Sequence, residues 1–309
     1  MVPASVLAPA GTLSHHIRHM LDWHHVGPRW PHHESSRFVE AGGLRWHVQT
    51  SGSGPLVLLL HGTGLGSYSW APLVDRLASR FTLVAPDFPG HTFTSMPAPD
   101  GLTLDAMAAG IHALLATLGL APQLVIGHSA GAALGARLCL DGLGAKGFVG
   151  INPAILLRPD PRALFFWPAL EWTANRQIFV DLATRFCADP RRLAFAFRRA
   201  APRLSAQELA LHQLVLGQRE QHLAAFGMMA RWDVRPVRRA LSTFPVPALL
   251  VAGERDPWFP PSVVRALASE FPSAETVVIP GTGHLSHEED PDLVASRVLG
   301  FAQRIGLAS

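Results

Sequence analysis

The sequence of 309 residues predicts an α/β protein with a mostly parallel, doubly wound sheet and a helical lid insertion. Short, continuous apolar runs alternate with segments of helical periodicity. This alternation is typical of buried parallel strands covered by helices on both faces. It stops near residue 154 and resumes near residue 236, which indicates one insertion within a single domain.

The strand pattern begins with two alternating segments on either side of Gly42-Gly43, which predict an antiparallel hairpin. Six continuous apolar runs follow, and we interpret them as buried strands. Segments with apolar residues at helical spacing lie between several of them. The predicted strands are residues 37–40, 44–50, 55–60, 81–85, 123–127, 147–151, 247–252 and 276–279, and the predicted helices are 104–118, 130–140, 261–271 and 290–305.

Three parts of the chain follow from this pattern. Residues 1–33 are rich in histidine and lack a sustained strand pattern, so we expect a flexible N-terminal arm. His15 and His19 would share one helical face, but only Asp22 supplies a carboxylate there, so we expect no metal site. Residues 34–153 and 236–309 form the predicted core, and residues 154–235 form a predicted helical cap or lid.

The composition excludes several classes of protein. Hydrophobic residues make up 48% of the chain and charged residues 16%, which is typical of a chain with a large buried core. The net charge of +3 comes without a dense basic run, so we expect no nucleic-acid partner. Charged residues and prolines interrupt the apolar stretch 154–170, so we expect no transmembrane segment. Cys139 and Cys187 are not spaced as metal ligands, and two free thiols fit a reducing compartment. We therefore expect a cytoplasmic protein, and we leave open whether it associates with a membrane.

The strongest motif is Gly127-His128-Ser129-Ala130-Gly131, which follows a predicted strand and begins a predicted helix. This is the G-x-S-x-G pattern in the structural context that makes the serine a nucleophile. A strand that turns into a helix within one residue brings its flanking turns close together, so small neighbours are needed. The sequence therefore predicts Ser129 as the attacking group.

A serine nucleophile needs a base and a carboxylate that orients the base. His284 follows the last predicted strand and has small residues before it, and we prefer it to His287, which reads as the start of a helix. Asp256 lies at the apex of the loop after the preceding strand, and Glu254 lies closer to that strand. The order Ser129, Asp256, His284 predicts a catalytic triad, with Glu254 expected to bond to its own loop or to pair with Arg255.

The segment His61-Gly62-Thr63-Gly64 ends the first buried strand. A tetrahedral intermediate needs two preorganised hydrogen-bond donors for its oxyanion. We expect the backbone N–H groups of Thr63 and Ala130 to supply them, and we expect His61 to be structural. The chain lacks the glycine-rich fingerprint of a dinucleotide site after its first strand, and we expect no cofactor and no metal.

These motifs resemble the α/β-hydrolase superfamily from about residue 37 to the C-terminus. Further segments look like the magnesium-chelatase accessory hydrolases found in bacteriochlorophyll gene clusters. This second resemblance implies a role in bacteriochlorophyll (tetrapyrrole) biosynthesis and magnesium-chelatase subunits as partners. The segments that carry it are Trp30-Pro31, 36–39, 43–49, 87–94 and 127–142.

Two classes of function remain open. The first is a serine hydrolase that acts on an ester or similar acyl bond of a bulky, apolar small molecule, such as a tetrapyrrole or a fatty acyl ester. The second is a porphyrin-binding accessory protein without turnover; a non-hydrolytic reaction on the same triad is a third alternative. The predicted substrate-binding residues are large side chains of the insertion: Phe165, Phe166, Trp167, Trp172 and Trp232.

Arginines interleave with these aromatic residues, and each could meet a carboxylate of the substrate. The alternative for the aromatic residues is ordinary packing between the helices of the insertion. The arginines considered are Arg162, Arg191, Arg192, Arg198, Arg199 and Arg203.

Overall fold

The computed structural model describes residues 21–155 and 177–307. Its centre is one sheet of eight strands in the order β1-β2-β4-β3-β5-β6-β7-β8. Strands β3 to β8 are parallel, and β1 and β2 add an antiparallel hairpin at one edge. The strands are β1 (Ser36–Ala41), β2 (Leu44–Gly52), β3 (Leu56–Leu60), β4 (Thr82–Pro86), β5 (Leu124–His128), β6 (Gly147–Ile151), β7 (Ala248–Gly253) and β8 (Ala274–Ile279).

Helices cover both faces of the sheet and form the insertion between β6 and β7. Short 3₁₀ turns occur at Gly27–Arg29, His33–Ser35, Ser67–Trp70, Pro99–Leu102 and Leu241–Thr243. The α-helices of the described residues are α1 (Trp23–Val26), α2 (Ala71–Leu77), α3 (Leu104–Leu118), α4 (Ala130–Leu140), α5 (Gln177–Ala188), α6 (Pro190–Ala200), α7 (Ala206–Leu216), α8 (Arg219–Arg231), α9 (Arg235–Arg239), α10 (Pro261–Ala268), α11 (Ser286–Glu289) and α12 (Pro291–Arg304).

The central strands are apolar along their whole length because both faces of the sheet are covered. All five residues of β5 and all five of β6 are buried. One hydrophobic cluster packs α3 and α4 against one face, and a second packs α2 and α12 against the other. The parallel sheet and the hairpin are therefore as the sequence predicts, although the pattern missed the seven-residue helix α2.

The predicted N-terminal arm differs from the structure at its end nearest the core. Leu21 and Trp30 are 8% and 2% exposed and pack in a small aromatic cluster with Phe93. The side chain of Gln49 donates hydrogen bonds to the carbonyls of Pro31 and His32. Residues 21–33 are thus docked on the core, while residues 1–20 lie outside the described residues and the arm remains a prediction there.

The insertion is helical where the structure describes it, since α5 to α9 lie between the ends of β6 and β7. Residues 156–176 lie outside the described residues. No helix in the described ranges is long and apolar enough to cross a bilayer.

Candidate active site

Ser129 lies at the sharp turn between β5 and α4. Its φ of 52° and ψ of −116° are strained for a side chain with a Cβ atom. The turn closes so tightly that a Cβ on Gly127 would lie 2.3 Å from the Gly131 carbonyl oxygen, and one on Gly131 would lie 2.0 Å from that of Leu60. Glycine is therefore needed at both positions, and the close packing of the turn maintains the strained backbone conformation of Ser129. Ser129 is consequently presented, partly exposed, at the carboxyl edge of the sheet.

Asp256 and His284 form a hydrogen-bonded pair beside this turn. The Nδ1–H group of His284 donates to Oδ2 of Asp256 at 2.7 Å. The amides of Trp258 and Phe259 donate to the other carboxylate oxygen at 2.8 and 3.1 Å. Burial alone would raise the pKa of Asp256, but these donors and the His284 ring outweigh it and lower the pKa below its ordinary value. The carboxylate therefore stays ionised and fixes the tautomer of His284, which leaves Nε2 as the proton acceptor.

The alternative acid, Glu254, points elsewhere. Its Oε2 atom accepts a hydrogen bond from the Gly281 amide at 2.8 Å, and it is exposed. The alternative base, His287, is fully buried and packs against Trp70 and His128. Asp256 thus contacts His284, whereas Glu254 and His287 make other contacts, and the assignment of the acid and the base stays a prediction.

Asn152 is a neighbour of the pair that the sequence analysis did not identify. It ends β6, is fully buried, and has a φ of 46°. Its side-chain N–H donates to the same Oδ2 of Asp256 at 2.7 Å, and the Ser286 hydroxyl donates to its Oδ1 at 2.9 Å. The amide therefore orients the carboxylate and adds a donor to its charged form. A buried strand that ends in a polar residue at the carboxyl edge was the available signal.

His128 holds the loop that carries His284. Its Nε2–H group donates to the main-chain oxygen of His284 at 2.8 Å. Burial lowers the pKa of His128 well below its ordinary value, so the ring is neutral. The residue before the serine therefore positions the backbone of the histidine, a contact that the spacing of the motif does not reveal.

The predicted oxyanion donors lie in the loop after β3 and at the start of α4, and their role stays a prediction. Thr63 and Ala130 both line the cavity at Ser129, and Ala130 is the first residue of α4, where amides have no acceptor within the helix. His61 is structural: its Nδ1–H donates to the Gly62 carbonyl and its Nε2 accepts from the Phe88 amide. Burial lowers the pKa of His61 to about 4, so it is neutral.

A cavity of about 520 Å³ opens at Ser129 and His284. Its lining side chains are almost all apolar, and histidine is the only ionisable type among the lining residues that the structure describes. The core and the insertion both contribute. The lining residues are Thr63, Gly64, Leu65, His128, Ser129, Ala130, Ala154, Ala196, Phe197, Ala200, Leu216, Met228, Met229, Trp232, Val234, Trp258, Phe259, His284 and Leu285.

Of the five predicted substrate-binding residues, the structure describes one. Trp232 lines the cavity, and its Nε1–H donates to the Leu102 carbonyl at 3.0 Å. The other four, Phe165, Phe166, Trp167 and Trp172, and also Arg162, lie outside the described residues. None of the described candidate arginines lines the cavity: four are exposed on α6, and Arg203 bonds to Pro280 and Asp290 of the core. The four on α6 are Arg191, Arg192, Arg198 and Arg199.

Several hydrogen bonds join the insertion to the loop that carries His284 and to α11 beside it. The main-chain N–H of His284 donates to the carbonyl of Ala200, the last residue of α6, at 2.5 Å. The ring of His212 in α7 accepts from the Tyr68 hydroxyl at 3.0 Å and donates to the Glu288 carboxylate at 2.8 Å, and all three groups are buried. The insertion is therefore fixed to the core beside the histidine.

Comparison with known proteins places these features in a family. The model described as alpha/beta hydrolase fold matches residues 55–291. The Magnesium-chelatase 30 kDa subunit of Rhodobacter capsulatus is 30% identical over 276 residues, which cover 89% of this chain and 96% of that protein. The Pimeloyl-[acyl-carrier protein] methyl ester esterase of Xanthomonas campestris is 29% identical, covering 82% of this chain and 98% of that protein.

Solved structures agree on the fold. The enol-lactonase of Burkholderia xenovorans superposes with a TM-score of 0.70 at 22% identity, covering 86% of this chain and 100% of that one. A putative lipase of Acinetobacter baumannii gives a TM-score of 0.74 at 15% identity, covering 96% and 99%. The sequence relatives include an esterase, a 2-(acetamidomethylene)succinate hydrolase and a haloalkane dehalogenase, and they support hydrolase activity. The chain belongs to the α/β-hydrolase family.

Proposed function

We propose that this protein is a serine hydrolase that cleaves an ester or similar acyl bond of a bulky, apolar substrate. One observation carries the proposal. Ser129, in a strained strand-to-helix turn, and His284, hydrogen-bonded to Asp256, face one apolar cavity. A protein that only binds a ligand has no need for this alignment.

The proposed reaction follows from the roles of these groups. Nε2 of His284 takes the proton of the Ser129 hydroxyl as its oxygen attacks the acyl carbon, and the negative charge forms on the carbonyl oxygen. The amides of Thr63 and Ala130 hold that oxygen. His284 then gives the proton to the leaving alcohol, which departs and leaves an acyl-serine. A water molecule, deprotonated by the same histidine, releases the acid and restores Ser129.

The lining of the cavity supports the choice of substrate. Met228, Met229 and Trp232 from the insertion face Ser129 without a charged group nearby, so the part of the substrate inside the cavity is uncharged. A charged arm of a larger molecule would have to stay outside. Four large predicted contact residues, Phe165, Phe166, Trp167 and Trp172, remain part of this proposal.

A link to bacteriochlorophyll biosynthesis is part of the proposal. It rests on the 30% identity to the Magnesium-chelatase 30 kDa subunit, which covers nearly the full length of both chains. We propose that the substrate is a tetrapyrrole ester or an acyl ester handled beside magnesium chelatase. The helical insertion 154–235 would act as a lid that excludes water from the acyl bond.

Labelling with a fluorophosphonate probe tests the proposed nucleophile. We expect the wild type to be labelled and to hydrolyse p-nitrophenyl esters, and Ser129→Ala to lose labelling and about 10⁴-fold or more of the activity. Alanine is no larger than serine, so circular dichroism should show an unchanged fold. The exposed Ser273→Ala is the matched control and should behave as the wild type.

Two outcomes would overturn the proposal. Labelled or active Ser129→Ala would mean that another nucleophile operates. A wild type that is neither labelled nor active, yet binds porphyrin, would support an accessory binding protein instead.

A further inference from the structure

Helix α6 has two chemically distinct faces. Ala196, Phe197 and Ala200 line the cavity at Ser129, and Leu193 on the same side is only 2% exposed. At 100° per residue, five other side chains fall within an arc of about 120° on the opposite side. These are Arg191, Arg192, Phe195, Arg198 and Arg199, and all five are exposed.

The outer face of α6 is strongly basic around one aromatic ring. Phe195 is 71% exposed, the highest value among the exposed large hydrophobic residues of the described chain. Asp189, at the start of the helix, lies 3.4 Å from Arg192. Across residues 21–155 and 177–307, no ion pair involves Arg191, Arg198 or Arg199. Among the residues that the structure describes, the positive charge of this face is therefore largely uncompensated.

The neighbouring helix α5 extends this surface with an apolar stripe. α5 packs against α6, and Val180 is its one buried residue. Its exposed large side chains recur at helical spacing on one side, with the exposed Arg185 at the margin. The stripe consists of Ile178 (62% exposed), Phe179 (38%), Leu182 (55%) and Phe186 (39%).

We propose that the outer faces of α5 and α6 dock on the surface of an anionic lipid bilayer. Arginines pair with lipid phosphates and are attracted by the negative surface potential, while the apolar stripe and Phe195 enter the headgroup–acyl boundary. A nucleic acid would match the arginines but would leave the aliphatic Ile178 and Leu182 without a partner. Charge and apolar surface together match an anionic lipid surface.

The position of α6 gives the docking a consequence for the cavity. One side of this helix would face lipid and the other lines the cavity, with the exposed Ala196 at its opening. An apolar molecule dissolved in the bilayer would therefore reach the cavity along a short path that avoids water. Docking itself does not depend on the chemistry proposed for Ser129, and the two can fail separately.

Sedimentation with sucrose-loaded vesicles measures the docking directly. We expect the full chain to bind phosphatidylglycerol-containing vesicles, to bind pure phosphatidylcholine vesicles far less, and to dissociate in 1 M salt. Each arginine at such a surface strengthens binding by about fivefold. Converting the four arginines of the outer face to glutamine should therefore weaken binding by at least about 50-fold.

The matched control removes four exposed arginines elsewhere on the surface, through Arg29→Gln, Arg37→Gln, Arg265→Gln and Arg297→Gln. It has the same net charge as the test variant, and we expect it to bind nearly as the wild type does. A second variant, Ile178→Ser with Leu182→Ser and Phe195→Ser, should also lose binding while it keeps every arginine.

Several results would overturn the docking proposal. Equal binding of neutral and anionic vesicles, or an equal loss in the two arginine variants, would remove the role of this face. The surface would be assigned to a second copy of the chain if the protein dimerised with rising concentration but did not bind vesicles, and if the triple variant Ile178→Ser, Leu182→Ser and Phe195→Ser abolished the dimer. Ester hydrolysis in solution should be unchanged in the arginine variant, which separates this test from that of Ser129.

Discussion

The helix behind Ser129 and the two outer helices of the insertion differ sharply in how they are held. Nine of the eleven residues of α4 are buried, whereas α5 and α6 bury one residue each. The turn at Ser129 is thus supported from behind by a buried helix, while α5 and α6 present most of their surface to solvent. Elements with few buried apolar contacts belong to the less stable and more adaptable part of a protein.

The two regions are therefore expected to have different roles. Packing around α4 fixes where the proposed nucleophile, base and acid lie. We expect the exposed cap helices to influence what reaches them. Changes in the core should therefore lower kcat, and changes in the cap should alter KM or the choice of substrate.

The largest effect is expected at the proposed acid. Asp256→Asn should reduce kcat by about 10⁴-fold, because an amide cannot stabilise the imidazolium and favours the wrong tautomer. Steady-state hydrolysis of a p-nitrophenyl ester measures it. Glu254→Gln is the matched control and should stay within about threefold of the wild type, since the glutamine side-chain oxygen can still accept the hydrogen bond from the Gly281 amide. A greater loss in the Glu254 variant would reassign the acid.

A smaller effect is expected at Asn152. Asn152→Gly removes the donor to Asp256 and keeps a residue that tolerates the positive φ, so kcat should fall by up to about 100-fold with little change in KM. Loss of the donor also raises the pKa of Asp256, because the amide favours the charged carboxylate. The acid limb of the pH–rate profile should therefore move to higher pH. An unshifted profile would assign Asn152 a purely structural role.

The cap side of the comparison is tested at Trp232. Trp232→Ala should raise KM about tenfold for a long-chain ester and leave an acetate ester unaffected, because a long acyl chain covers more of the apolar lining than an acetyl group does. Phe195→Ala, on the outer face of α6, is the control and should change neither KM. Equal effects on both esters would mean that Trp232 supports the fold and not the choice of substrate.

The smallest effect concerns stability and again lies in the core. Burial lowers the pKa of His91 to about 3 and that of His287 to about 3, so both stay neutral in the folded chain. Below pH 6.5 the unfolded chain binds protons that the folded chain does not, and the free energy of unfolding falls as the pH falls. His287→Phe removes one such group and should lessen this loss by about 1 kcal/mol per pH unit between pH 6 and 5.

Urea unfolding at pH 7, 6 and 5 measures this difference. Burial raises the pKa of Glu289 to about 7, so its contribution to stability is lost as the pH rises through that value. This opposite trend is present in the wild type and in the variant, and it cancels in the comparison. Identical slopes in the two proteins would contradict the neutral state assigned to His287.

Local patterns were enough to predict the sheet and the residues at its edge. Continuous apolar runs mark β3 to β7 because both faces of a parallel sheet are covered. The small residues around Ser129 predict the turn there, because its tight closure leaves no room for larger side chains. His284 and Asp256 were predictable because each follows a strand whose carboxyl end reaches the same edge.

Contacts that depend on the order of the strands in the sheet could not be predicted from the sequence. Asn152 meets Asp256 only because β6 lies next to β7, an arrangement that no local pattern encodes. The location of the α6 arginines on the outer face of the helix could in principle have been predicted, since a helical wheel separates them from Ala196 and Phe197.

The hydrogen bond from the His284 amide to the Ala200 carbonyl has a consequence for modularity. Both partners are main-chain atoms, so side chains throughout α6 can be exchanged without breaking it. Replacing residues 177–239 by a short linker would, in contrast, leave the His284 amide without this acceptor and expose the apolar side of the turn at Ser129. The side chains of α6 can therefore vary without loss of this contact, whereas a chain without the cap would lose it.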